Sequence, residues 1–173
     1  NLSSLPKSEA EVVLTTARNY AIKRLNTGHS QYLAELFELY EKELESGTLL
    51  ENGKIPNWSF DNIVAVGLLL GRDRWIEDFI KSYQEILPEE VKENTFFYNM
   101  ARLHVHRKDY DQAKLALLQV EFNELFLALN AKLLLLKSYY ELDELEAATA
   151  LINSLKLFVR RKSIMAYHRS NYT

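Results

Sequence analysis

Two histidines two residues apart, His104 and His106, are the nearest approach in this chain to a metal-chelating pair. On a strand that spacing would put both imidazoles on one side. On a helix, residues i and i+2 point about 200° apart, and the apolar pattern around them is helical. His104 therefore reads as a packed histidine at the core boundary. His29 and His168 have no acidic or histidine partner three or four residues on. Glu35, Glu38, Glu41, Glu43 and Glu45 form an acidic run that could draw a cation. They spread around one helix and no Asp-x-Asp-x-Asp-Gly loop accompanies them, so they read as a solvated face. The chain has no GxxxxGK[ST], GxGxxG or GxSxG stretch, and hence no phosphate cradle or nucleophile elbow of those kinds. It has no cysteine. That excludes a thiol nucleophile, a disulfide framework and a CxxC metal site, and it fits a reducing, cytoplasmic compartment. No catalytic residue, metal site or cofactor is expected, and the chain reads as non-enzymatic.

What the sequence organises instead is a helical face that recurs. An apolar ladder with offsets 0, +3, +7 and +10 runs Ile76, Phe79, Tyr83, Ile86, then Tyr110, Ala113, Leu117, Val120, then Leu145, Ala148, Ile152, Leu155. The starts lie 34 and 35 residues apart. A weaker copy, Leu33, Leu36, Tyr40, is expected to break at Glu43, with Leu44 taking over. One face repeated at a fixed period marks stacked hairpins, because a single hairpin cannot bury its own apolar stripe. With 47% hydrophobic and 26% charged residues, five glycines and three prolines, the composition favours long helices around an extended core.

The expected fold is all-α, a single domain of four antiparallel hairpins. Their helices span about 8–26 and 30–45, 59–70 and 73–87, 90–106 and 109–120, and 123–141 and 143–161. Gly28 and Gly71 suit the turns, Pro88 closes a helix, and Ser30, Asp73, Asp109 and Asp143 stand where N-caps are wanted. The breaker-rich stretch 46–57 is either an insertion in the array or a boundary between a divergent N-terminal hairpin, 8–45, and three repeat-like hairpins, 59–161. A further helix is expected to start near Ser163, so that the chain, opening at Asn1 and stopping at Thr173, reads as a fragment. Ile164, Met165, Tyr167 and Tyr172 would then be uncovered and favour a homodimer.

No run approaches the roughly 18 apolar residues of a membrane span; the longest concentration, Phe126 to Leu136, is interrupted by Asn130 and Lys132. The net charge of −3 is uneven. Residues 1–90 hold nine Lys/Arg against fifteen Asp/Glu, and residues 91–173 hold twelve against nine. From Ala147 onward Lys156, Arg160, Arg161, Lys162 and Arg169 meet no acidic residue. Such asymmetry can steer a partner, or it can reflect a basic last turn complementing the helix dipole.

These ladders, together with Ile63, Val66, Gly67 and Leu70, then Phe97, Met100, Ala101 and His104, then Lys132, Leu135, Leu136 and Tyr139, and the turn Lys108-Asp-Tyr110-Asp-Gln-Ala113, resemble the tetratricopeptide repeat. The likeness covers 59–161 well and 8–45 loosely. Leu136 stands where the family has a small residue, Lys132 where it has a bulky one, and only Pro88 resembles its closing proline. The resemblance implies a right-handed α-α superhelix, a solenoid whose concave groove is lined by the first helix of each hairpin. It further implies a protein-binding scaffold that captures a peptide or helix of a partner. Carried over by position, the partner-binding residues are Val64 and Leu68, Tyr98, Arg102 and His106, and Leu133, Lys137 and Tyr140, with Arg102 and Lys137 set to flank a carboxylate. Two other readings accompany it. One is an RNA-binding helical repeat, against which the acidic balance and pI near 5.9 argue; the other is a self-associating structural or sensor arm.

Overall fold

Helices form where apolar residues recur at helical spacing and stop where proline, glycine or a left-handed residue intervenes. In the computed structural model, residues 6–121 and 124–161 are described. They form eight α-helices and one 3-10 turn, with no strand beyond an isolated bridge between Glu51 and Lys54. The helices are α1 (Lys7–Asn26), α2 (Tyr32–Ser46), α3 (Asn57–Leu69), α4 (Asp73–Tyr83), α5 (Lys92–His106), α6 (Tyr110–Leu117), α7 (Leu125–Glu141) and α8 (Leu145–Arg161). The 3-10 turn, Gln84–Ile86, ends α4 before Leu87 becomes extended ahead of Pro88, as the residue preceding a proline must. The fold is all-α, with helix bounds close to those expected.

The chain divides into two compact units, Asn1–Asn99 and Met100–Thr173. In the first, α1 packs on α2, α2 on α3 and α3 on α4. Its core holds Tyr40, Phe60, Ile63, Ile76 and Ile80 fully buried, each contributing roughly 1.5–3 kcal/mol. Gly67 lets α3 and α4 approach: a Cβ there would lie 2.6 Å from Ile76 Cγ1 and 3.0 Å from Phe37 Cε2. The 46–57 stretch belongs to this unit and is packed into it. Leu49 and Ile55 are buried, and the Ile55 N–H donates to the Ile86 carbonyl at 2.8 Å. At the end of the unit, Asn99 Nδ2 donates to Asp61 Oδ1 at 2.6 Å. In the second unit α6 packs on α7 and α7 on α8, around Ala113, Leu117, Ala128, Leu129 and Leu135.

One turn recurs four times. At Gly28, Gly71, Lys108 and Asp143 the backbone is left-handed, with φ of 87°, 67°, 61° and 58°. The next residue's N–H returns to a carbonyl five residues back: His29 to Arg24, Arg72 to Gly67, Asp109 to His104 and Glu144 to Tyr139, at 2.9–3.1 Å. This is the 6→1 bond of a Schellman helix end, and it closes α1, α3, α5 and α7 in the same way.

Several expectations change. Glu43 does not break the first ladder: it is its fourth rung, buried below Leu36 and Tyr40. Of the expected N-caps, Asp109 accepts a first-turn N–H, from Gln112 at 3.4 Å. Asp73 is instead the first residue of α4, Asp143 is the left-handed turn residue, and Ser30 precedes Gln31, the residue that flanks α2. In the last ladder Leu145 and Ile152 are exposed, Leu155 is half-buried and Ala148 is buried. The helix expected from Ser163, with Ile164, Met165, Tyr167 and Tyr172, lies outside the described residues.

Candidate functional site

Helix α3 is apolar on nearly every face, and Ile63, Val64, Val66, Gly67 and Leu68 are all buried in it. A helix hydrophobic all round belongs inside a protein. Val64 and Leu68, at 0 and 7% exposure, are therefore core residues of the first unit, and a partner cannot reach them. Two of the eight expected contact residues are thereby removed.

The α5 candidates follow one face at i, i+4 and i+8. Tyr98 and Arg102 are half-buried and His106 is exposed, and each already has interactions within the protein. His104, on another face, is also half-buried, its Nδ1 3.7 Å from Asp109 Oδ2. Among the described residues no group of three His, Asp or Glu side chains converges as a metal-binding set.

Helix α7 places its three candidates together. Leu133, Lys137 and Tyr140 are all exposed, at i, i+4 and i+7 on one face. Phe126 and Asn130 extend the same face by two turns and are exposed as well. Phe126, Leu133 and Tyr140, 54, 40 and 70% exposed, thus form an apolar line at seven-residue spacing, with Asn130 and Lys137 between them. The opposite side, Ala128, Leu129, Ala131, Leu135 and Ser138, is buried. Lys137 makes no ion pair or hydrogen bond among the described residues. Phe126 and Asn130 were legible as part of this face, since they precede Leu133 by seven and three residues, but the apolar run around them reads as core throughout.

A second polar constellation lies in the first unit and went unread. Arg18 of α1 donates through Nη1 to Glu43 Oε1 at 2.9 Å and Oε2 at 3.1 Å, while its guanidinium carbon sits 5.6 Å from the Trp58 ring centroid. Burial pushes the Glu43 carboxyl up, and Arg18 opposes this. Burial also pushes the neighbouring Tyr40 hydroxyl up to about 12, again with Arg18 pulling it down. A catalytic acid must reach its substrate. Glu43, 1% exposed, cannot, so this pair holds α1 to α2 and performs no chemistry on a ligand.

Lys114 joins α6 to the start of α8 through Glu144, and that hydrogen bond holds its ammonium above the usual range. No helix among the described residues is long and apolar enough to cross a membrane. Comparison with family models, with curated proteins and with solved structures returns no match.

Proposed function

We propose that this chain is a non-catalytic protein-interaction scaffold of the cytoplasm, in which tetratricopeptide-like hairpins stack as a right-handed superhelix and α7 receives a helix or extended peptide of a partner protein. The observation that carries the reading is the exposed line of Phe126, Leu133 and Tyr140 on a helix whose opposite face is core. Three apolar anchors two turns apart match the way an amphipathic segment docks, and exposed apolar groups in a row mark interaction surfaces. Lys137 within the line, with Arg102 and His106 of α5 as further polar groups, would orient a partner carboxylate. The four identical turns support the repeat reading independently of the ladders.

The test is capture from native lysate with nuclease present, comparing the chain with a Leu133→Ser, Lys137→Glu, Tyr140→Ser variant. Substitutions on this exposed face change stability by about 0.5 kcal/mol or less. A protein retained by the chain and lost by the variant supports the reading. Retention of the same proteins by both contradicts it, and a partner lost on nuclease treatment alone points to RNA. A second reading, self-association, is favoured by the exposed Leu145 and Ile152 of α8. It predicts a solution mass that rises with concentration and falls back in a Leu145→Ser, Ile152→Ser variant.

A further inference from the structure

Within the first unit, α2 and α4 border an open groove of about 270 Å³ whose wall is aromatic and whose rim is acidic. Trp75, Phe79 and Tyr83 stand one helical turn apart along α4. Trp75 and Phe79 stack with centroids 5.4 Å apart and planes 10° from parallel, and Phe79 and Tyr83 follow at 5.0 Å and 30°. The row is fixed from behind: Phe37 meets Trp75 edge-on at 4.8 Å, and Phe60 lies 4.7 Å from Phe79. Three carboxylates share the groove, Glu41 and Glu45 from α2 and Asp78 from α4. None has a hydrogen bond or ion pair among the described residues. The basic groups on these helices are elsewhere: Lys81 is held by Glu77, and Lys42 and Arg74 are exposed and do not line the groove. Glu41 and Glu45 are four residues apart on one helix, where like charges repel, and Asp78 adds a third negative charge across the groove.

Uncompensated negative charge beside the part-exposed Trp75 and Tyr83 rings, with Phe79 buried between them, is an environment that attracts a cation. The volume is below that of pockets enclosing whole small-molecule ligands, so the groove has room for one side chain with its backbone outside. Of the two basic side chains, arginine is the better match, because its planar guanidinium stacks on aromatic rings and offers several donors to carboxylates at once. We infer that the α2–α4 groove binds an arginine side chain presented by a basic peptide segment, the guanidinium lying against the part-exposed Trp75 and Tyr83 rings and bonded to the surrounding carboxylates. This site uses none of the α7 residues and stands or falls apart from the function proposed above.

The test uses fluorescein-labelled Gly-Ser peptides of equal length, each with three arginines, three lysines or three glutamates, titrated into the whole chain at low salt and followed by anisotropy. The arginine peptide is expected to bind, the lysine peptide to bind about tenfold more weakly, and the glutamate peptide not at all up to ~1 mM. Glu41→Gln, Glu45→Gln, Asp78→Asn should weaken arginine-peptide binding about tenfold or more, without changing the helical circular dichroism. Trp75→Leu should weaken it too, and the α7 variant should leave it unchanged. Equal binding of arginine and lysine peptides, equal binding to the carboxamide variant, or loss only with the α7 variant would each overturn the inference.

Discussion

A buried ion pair at the Arg18–Glu43 contact draws its consequence from what happens when one partner is lost. Two charges taken out of water are offset mainly by each other. Arg18→Met, leaving Glu43 alone in the core, should cost about 3–5 kcal/mol, whereas Arg18→Met with Glu43→Leu should return close to the parent stability. Urea unfolding of the three proteins checks this, and additive costs would show that the pair is not coupled. The pH dependence follows from the same burial. Glu43 titrates above its ordinary 4.5 in the folded chain, so its contribution is fully present below that pH and is lost as pH rises through the folded value. Glu43→Gln should therefore flatten the stability profile on the acid side. Tyr40 behaves likewise at the other end. With the hydroxyl pushed from 10.0 to about 12, its contribution holds below pH 10.0 and is lost toward 12, so alkaline unfolding should accompany ionisation of this one tyrosine among ten. A spectrophotometric titration, in which a Tyr40→Phe variant lacks that late step, is the check. Glu43 shows why the acidic run was misread: its four neighbours in the run are solvated or half-exposed, and only a partner 25 residues away makes the fifth a core residue. Sequence spacing carries no trace of that partner.

At the scale of elements, the helices were legible because apolar period and breakers agree, so that each pair fell within two or three residues of its expected bounds except α4, where a 3-10 turn takes over. Turn chemistry was half legible. Gly28 and Gly71 announce a left-handed residue, while Lys108 and Asp143 adopt the same φ without glycine and are silent in the sequence. A left-handed non-glycine residue costs roughly 1–2 kcal/mol. Lys108→Gly is accordingly expected to stabilise the chain by about 1 kcal/mol, measurable as a raised urea midpoint at unchanged slope; a lowered midpoint would mean that the lysine side chain contributes more than its backbone costs. Gly67 is the reverse case. Ile76 occupies the space a Cβ would need, and Gly67→Ala should destabilise the first unit by about 1–3 kcal/mol through overpacking. Helix α3 explains the failure at Val64 and Leu68: the face it leaves open is that of Trp58, Asn62 and Leu69, and the positions carried over from the family pattern fall on its buried side.

Across the whole molecule, charge and apolar surface are distributed in a way no single helix discloses. The first unit carries an acidic aromatic groove between α2 and α4, and the second carries an apolar line along α7 interrupted by a lysine. Of the candidate contact residues, the α7 set is exposed because that helix buries one face and leaves the other open, and the groove of the first unit was missed because its lining residues on α2 and α4 lie 30 or more positions apart. The central claim is that the α7 face meets a protein. It is tested most directly by photo-crosslinking in the cells that make the chain, with a benzophenone amino acid replacing Tyr140 and, as a control, the exposed Lys23 of α1. The account predicts a discrete, nuclease-resistant protein adduct from position 140 that is absent from position 23 and abolished by Leu133→Ser. The same adducts from both positions, or none from position 140, would contradict it.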